Sequence, residues 1–250
     1  MHIERERELA ILHMHAGKAN AMNPALVSRL ADLCVEVEAS SARALVITGD
    51  GRAFSAGLAL PELIDLDRDT MRDFMVAFKH AMLRVLELPM PVVAAIDGHA
   101  IAGGCVLALM CDERICIDDG AKIGLNETQL GIGLPAIVIE PLRAAVPPAS
   151  LAPIALEGRL FSPREAHALG LVHELAPEAS LLARALERAR ALAGPPATAV
   201  AQVKRALRTP ILEAIQRTAD LETEAWLDTW FSDEAQARLR AVVERLRKHA

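Results

Sequence analysis

The sequence predicts an α/β fold built on a mostly parallel sheet. Short apolar runs, typical of buried strands, alternate with longer segments whose apolar residues recur at helical spacing. Such alternation is typical of right-handed βα crossover units, which place parallel strands side by side. After residue 135 the pattern becomes largely helical. We therefore expect an α/β core that is followed by a helical section.

The first strands and the first helix are predicted within the opening fifty residues. Residues 8–16, ELAILHMHA, have the short apolar centre of a strand, and residues 43–49, RALVITG, form a buried strand that ends in glycine. Between them, Asn23 and Pro24 supply an N-cap followed by a first-turn proline. The helix that they start is supported by apolar residues at positions 26, 27, 30, 33, 34 and 37.

The middle of the chain continues the alternation. DGRAFSAG (50–57) is predicted as a loop and HAIAGG (99–104) as a turn of small residues. The remaining elements are a helix at 70–88 stopped by LPMP, a buried strand at 92–98, a buried helix at 104–112 and a strand at 113–117.

The C-terminal part is predicted to be mainly helical. Residues 162–175 form a helix and then a short strand, and residues 233–248 have one apolar helical face. AGPPAT (193–198) is the best candidate for a junction. We therefore expect a core at residues 1–194 that carries the site, and a C-terminal helical section at 195–250.

Composition argues against several functional classes. The 250 residues are 52% hydrophobic, which is enough for a sizeable core. A net charge of −6 without a basic stripe argues against nucleic-acid binding. No apolar run is long enough to span a membrane, and the charged N-terminus does not resemble a signal peptide. We expect a cytoplasmic protein without nucleic-acid or membrane partners.

The cysteines do not form a metal or disulfide pattern. Cys34, Cys105, Cys111 and Cys116 include no C-x-x-C pair, and no histidine cluster accompanies them. We therefore expect small, buried, reduced side chains and no metal site.

Two small-residue corners are candidates for ligand binding. AFSAGL (53–58) and AIAGGC (100–105) each follow a predicted strand and lead into a helix. Small residues let a ligand approach the main chain, and two free N–H groups at such corners could bind an oxyanion. Equally, small residues could only permit tight strand–helix packing, and the spacing leaves both interpretations open.

One carboxylate stands in an unusual place. IGLNETQLGI (123–132) is apolar at both ends and polar in the middle, where Glu127 lies. Glu127 could be a solvated charge at a helix start, with Asn126 as the cap. Alternatively it could be an acid/base held in an apolar pocket.

GRAFSAGLALPEL, PVVAAIDGHAIAGGCVLALMCDERI and IGLNETQLGI, in that order, resemble the crotonase (enoyl-CoA hydratase/isomerase) superfamily. The likeness covers nearly the whole chain, and the motifs look most like those of mitochondrial-type Δ3,Δ2-enoyl-CoA isomerases. The resemblance implies a crotonase-like ββα spiral with a C-terminal helical trimerisation section. It also implies a homotrimer or hexamer acting on acyl-CoA thioesters, with CoA as part of the substrate and no separate cofactor.

The resemblance also implies site residues. The thioester oxygen would lie between the backbone N–H groups of Leu58 and Gly103. Lys18 would lie near the phosphates of CoA. Ala56 and Gly104, in the two corners, and Leu134, near the acyl pocket, would contact the substrate.

The sequence departs from the hydratase pattern at one decisive position. The family hydratases use two carboxylates, and the first of them falls at the position of Val106. The second carboxylate is present here as Glu127. A single base suffices to move a proton from one carbon to another. An isomerase is therefore expected, with Glu127 as its acid/base. A hydratase using Glu127 alone or with Glu140, and a degenerate acyl-CoA-binding homologue, are the alternatives.

Overall fold

The computed structural model describes residues 1–17, 19–49 and 52–248, with the side chains at 219 and 220 outside the description. The strands are β1 (His2–Glu6), β2 (Leu9–His13), β3 (Ala44–Thr48), β4 (Ala53–Ser55), β5 (Val92–Ile96), β6 (His99–Ile101), β7 (Glu113–Ile117), β8 (Ile123–Gly124) and β9 (Glu174–Ala176). The helices are α1 (Pro24–Glu38), α2 (Leu60–Leu63), α3 (Arg68–Glu87), α4 (Gly103–Met110), α5 (Ala136–Ala145), α6 (Pro163–Ala168), α7 (Leu181–Ala193), α8 (Ala197–Trp230) and α9 (Asp233–Lys248).

Two sheets alternate along the chain. The large sheet has the order β1-β2-β3-β5-β7-β9, and the small sheet has the order β4-β6-β8. Each turn of the chain gives one strand to the large sheet and the next strand to the small one. Apart from the antiparallel β1–β2 pair, the strands of the described residues pair in parallel. This arrangement confirms the predicted ββα spiral.

The centre of the large sheet is apolar on both faces. Every residue of β3 and β5 is buried, which explains why both read as continuous apolar runs rather than as alternating patterns. Leu45 is paired with Val92, and Ala95 with Ile115, so apolar residues continue from strand to strand, with Thr48 and Arg114 as buried polar residues of the same ladders. Helix α7 packs against β3, β5 and β7.

A buried ionic cluster attaches α8 to this core. Lys204 donates from Nζ to the carbonyl of Met90 (2.7 Å) and to Oδ2 of Asp112 (2.6 Å). Arg208 donates to Oδ1 of Asp112 at 2.8 Å. Because Asp112, the residue before β7, also accepts from the N–H of Val92 (2.8 Å), the cluster joins α8 to the start of β5 and to the residue that precedes β7.

The structure corrects the sequence-based prediction at two connections. The predicted loop at 50–57 contains β4, and the predicted turn at 99–104 contains β6 and the start of α4. Both strands have three residues, too few to show a period of two, and their pairing depends on residues distant in the chain. The junction predicted at 193–198 is confirmed as the connection between α7 and α8. The division into two sections at residue 194 stays a prediction.

Candidate active site

A cavity of about 970 Å³ lies between the two small-residue corners and the C-terminal helices. Its wall is mainly apolar and includes Phe78 of α3, Val138 of α5 and Trp226 and Trp230 of α8. Arg247 of α9 adds a charged group to the wall. The cavity therefore combines apolar surface with a cationic side chain, which suits a ligand with an apolar part and an anionic part.

The first corner leaves the N–H of Leu58 unused. Met22 donates to the carbonyl of Gly57 (2.7 Å) and accepts from the N–H of Ala59 (3.1 Å), so it bonds on both sides of Leu58. The N–H of Leu58 itself donates no hydrogen bond within the described residues. Gly57 has a φ of +81°, which turns the chain sharply at the end of β4.

The second corner has a strained residue before α4. Ala102 has φ 50° and ψ −121°, a conformation that an L-residue with a Cβ rarely adopts. Its ψ value orients the peptide whose N–H belongs to Gly103. Because Gly103 is the first residue of α4, this N–H has no acceptor inside the helix, and none is present elsewhere in the described chain.

The two corners touch each other. A Cβ added at Gly57 would lie 3.0 Å from the nitrogen of Gly103, and one added at Gly103 would lie 3.4 Å from the Cα of Gly57. Both Leu58 and Gly103 line the cavity. Two unused N–H donors therefore stand on adjoining segments of one wall, an arrangement suited to a single oxygen that gains negative charge.

Glu127 lines the same cavity and lies at the start of a single 3-10 turn (Thr128–Leu130). Its backbone carbonyl accepts from the N–H groups of Leu130 (2.8 Å) and Ile132 (3.0 Å). Its carboxylate oxygen Oε2 is buried and has no hydrogen-bond partner among the described residues. Desolvation raises the pKa of Glu127 to about 7. A carboxyl with this pKa can both accept and donate a proton near neutral pH.

The other acidic candidates are placed differently. Val106, at the position of the hydratases' first carboxylate, is buried and lines the cavity. Glu140 does not line it and lies 3.6 Å from Arg143 in an ion pair. Glu62 does line it, but its carboxylate accepts from the amide of Asn23 (3.0 and 3.2 Å).

The remaining predicted substrate contacts are only partly brought together. Ala56 and Leu134 line the cavity. Gly104 does not line it, and a Cβ at this position would lie 2.1 Å from the carbonyl oxygen of Ser55, so its contact with substrate stays a prediction. Gly104 thus allows α4 to pack on β4. Lys18 lies outside the described residues.

Several lining residues were not predicted. Trp226, Trp230, Val242 and Leu246 come from α8 and α9, outside the sequence motifs, and form part of the cavity lining. Trp226 stacks on Trp230 with 5.2 Å between ring centroids. An aromatic pair four residues apart at the end of a long, largely polar helix was the available signal.

The described residues contain no cluster of three or more His, Cys, Asp or Glu side chains placed to hold a metal. No described helix is long and apolar enough to cross a membrane. All four cysteines are buried and unpaired, as predicted. Burial raises the pKa of each of the four thiols to about 12, so they stay protonated.

Known proteins are similar to this chain in sequence and in fold. A family model described as enoyl-CoA hydratase/isomerase matches residues 4–249. The chain is 30% identical over 210 residues to human mitochondrial enoyl-CoA delta isomerase 1, covering 83% of this chain and 70% of that protein. It is 31% identical over 220 residues to 2,3-dehydroadipyl-CoA hydratase of Escherichia coli, covering 86% and 84%.

A solved structure matches over almost the full length. Human mitochondrial delta3-delta2-enoyl-CoA isomerase superposes with a TM-score of 0.93 at 28% identity, covering 99% of this chain and 98% of that one. The chain belongs to the enoyl-CoA hydratase/isomerase family and has the crotonase fold.

Proposed function

We propose that this protein is an isomerase that converts 3-enoyl-CoA into 2-trans-enoyl-CoA. The observation that carries the proposal is the combination of Glu127, whose carboxyl has a buried oxygen and a raised pKa, with apolar Val106 at the position of the hydratases' first carboxylate. One base is enough to move a double bond, whereas two carboxylates best hold and activate a water.

The substrate would use both parts of the cavity. The thioester oxygen would accept from the N–H groups of Leu58 and Gly103, which have no acceptor in the described chain. The apolar wall that includes Trp226 and Trp230 suits the acyl chain, and Arg247 suits an anionic group of CoA. CoA is part of the substrate, and the reaction needs no metal or redox cofactor.

The reaction would proceed by two proton transfers. Hydrogen bonds to the thioester oxygen acidify the proton on C2, and the Glu127 carboxylate removes it. The electrons shift into a dienolate, whose negative oxygen remains bound to the two N–H groups. The Glu127 carboxyl, now protonated, returns the proton to C4, and the double bond becomes conjugated with the thioester.

Hydration is the second candidate function. It is favoured by relatives such as the Escherichia coli 2,3-dehydroadipyl-CoA hydratase. Adding water is easiest with a carboxylate besides Glu127 to hold the water. Among the described lining residues that carboxylate is Glu62, which is exposed and already hydrogen-bonded to Asn23. For this reason isomerisation is the better-supported reaction.

An assay of two substrates separates the reactions. With 3-hexenoyl-CoA, the wild type should form conjugated product, seen by absorbance, at unchanged mass. Glu127→Gln should lower this rate by about a hundredfold or more, because general acid–base catalysis is lost. A mass gain of one water from 2-hexenoyl-CoA would instead establish a hydratase. Turnover of neither substrate, with acyl-CoA still bound, would favour a different thioester chemistry or a binding role.

The assembly and the location remain predictions. Val203 and Leu207 lie four residues apart on α8, with 55% and 70% of their surface exposed, and could be covered in a homotrimer or hexamer. Sedimentation of the purified protein would measure the assembly directly. The cytoplasmic location predicted from the sequence is not tested by these observations.

A further inference from the structure

Apolar packing holds the turn that carries Glu127 only in part. Of its residues, Thr128–Leu130, Leu130 is partly buried against the core, whereas Thr128 and Gln129 are exposed. A single 3-10 turn is also a weak structure by itself, because its hydrogen-bond geometry is poor. The position of Glu127 therefore depends also on polar contacts that hold the turn from outside.

Polar contacts reach the turn from two separate segments. On one side, Thr128 donates from Oγ1 to the carbonyl of Ala155 (2.7 Å), and the Gln129 side chain donates to the carbonyl of Glu157. On the other side, Arg238 of α9 donates from Nη1 to the backbone carbonyl of Gln129 (2.9 Å). Arg238 thus bonds the main chain two residues after Glu127.

Helix α9 is fitted closely to this turn. The other end of the Arg238 guanidinium donates to Glu234, one helical turn earlier, at 2.8 Å. This ion pair restricts the orientation of the guanidinium. Gly131, which ends the turn with φ 82°, packs on α9 so tightly that an added Cβ would lie 3.2 Å from the Cα of Ala235. The same helix lines the cavity through Val242 and Leu246.

We propose that Arg238, oriented by Glu234, is a positioning residue that fixes the turn of Glu127 and so sets the geometry and hydration of its carboxylate. The inference rests on the proposed isomerase function. It adds that the C-terminal helix does more than enclose the substrate, since it also holds the base in register with C2 and C4.

The kinetic test compares two arginines of α9. Arg238→Met removes the bond to the turn, and Arg240→Met removes a different bond, to Asp65 at 2.9 Å. Both arginines are about half exposed, so neither change leaves a buried group unpaired. Arg238→Met should lower kcat for 3-hexenoyl-CoA by roughly tenfold with little change in KM, because the base is misplaced by a fraction of an ångström. Arg240→Met should match the wild type.

The pH profile separates positioning from general damage. Without the Arg238 bond, water should reach the Glu127 carboxylate and its pKa should fall from about 7 toward its usual value. The acidic limb of kcat/KM should therefore move to lower pH. Cys105 of α4 is the neighbouring titratable group that responds electrostatically to Glu127, and its pKa of about 12 keeps it neutral over this range.

Amide hydrogen exchange provides a readout that does not require turnover. Arg238→Met should speed exchange in residues 126–132, and Arg240→Met should not. An Arg238→Met enzyme with wild-type kcat, pH limb and exchange would overturn the positioning role while leaving the isomerase proposal intact. A wild type without isomerase activity would overturn the function, and unchanged exchange in Arg238→Met would then overturn the structural role as well.

Discussion

At the residue scale, the burial that would make Glu127 a good base also lowers the stability of the folded protein. A carboxylate oxygen that is buried without a partner costs free energy whenever the group is ionised. The same desolvation raises its pKa to about 7, which makes it a better base toward carbon acids. Glu127 is thus a residue whose replacement should abolish activity and strengthen the fold.

This opposition predicts a pH-dependent stability difference. The folded pKa of Glu127, about 7, lies above its usual value of 4.5. Between these two pH values the folded state binds a proton that the unfolded state has lost, so the unfolding free energy falls as pH rises. Glu127→Gln should therefore be more stable than the wild type by about 1–3 kcal/mol at pH 8, with almost no difference near pH 4.

Urea denaturation at the two pH values would measure the difference. A Glu127→Asp variant serves as the control, because it keeps the titrating group and should keep the pH dependence. Equal stability of Glu127→Gln and the wild type at pH 8 would show that the carboxylate is hydrated in the folded protein.

Motifs in the sequence predicted much of the site at this scale, but they did not predict the strained backbone of Ala102. Glu127, Leu58 and Gly103 were named from motifs, and all three line one cavity. The positive φ of Ala102 could not be predicted, because alanine normally avoids it and only the surrounding packing enforces it. The close packing of Gly104 on Ser55 could not be predicted either, because a glycine needed for packing looks the same in sequence as one needed for a ligand.

At the element scale, local patterns located long helices and buried strands but not the small sheet. The pattern of α9 predicted the helix at its observed bounds, since its apolar face repeats over four turns. Strands β4 and β6 have three residues each, and their existence depends on pairing with each other and with β8. Pairing between distant residues leaves no periodicity in a three-residue segment.

The attachment of α8 to the core gives a prediction at this scale. Lys204 is 7% exposed, and burial lowers its pKa while Asp112 opposes that shift. Asp112→Ala should lower the unfolding free energy by about 3–5 kcal/mol, because it leaves the buried Lys204 ammonium without its counter-ion and the N–H of Val92 without this acceptor. Asp228→Ala, which removes an exposed partner of Arg68, should cost less than about 1 kcal/mol.

Urea denaturation of the two variants would measure both values. A loss at Asp112 no larger than the loss at Asp228 would mean that the Lys204 ammonium reaches water in the folded protein.

At the scale of the whole molecule, the cavity is a product of tertiary docking. Part of its lining comes from the two corners and the Glu127 turn, which the motifs identified. Another part comes from Trp226, Trp230, Val242 and Leu246, which no motif marked. The spacing of apolar residues in α8 and α9 indicates which faces of these helices are apolar. It does not indicate which surface of the protein those faces cover.

This second part of the lining should set the length of the acyl chain. Trp226 is 5% exposed and separates the main cavity from a small pocket of about 20 Å³ that Met75 and Pro135 also border. Trp226→Leu should join the two spaces and lengthen the apolar end of the cavity. Each substrate methylene that is bound in an apolar pocket changes kcat/KM by about tenfold or more. The ratio of kcat/KM for 3-decenoyl-CoA to kcat/KM for 3-hexenoyl-CoA should therefore rise at least about tenfold.

The ratio of kcat/KM values is the measurement, since it is insensitive to the fraction of active enzyme. Leu221→Ala on the same helix, where 80% of the side chain is exposed, should leave the ratio unchanged. A Trp226→Leu enzyme that is folded and active but keeps the wild-type ratio would place the acyl chain along another part of the wall. An increased ratio would identify the end of α8, rather than the motif-bearing core, as the element that selects substrates by length.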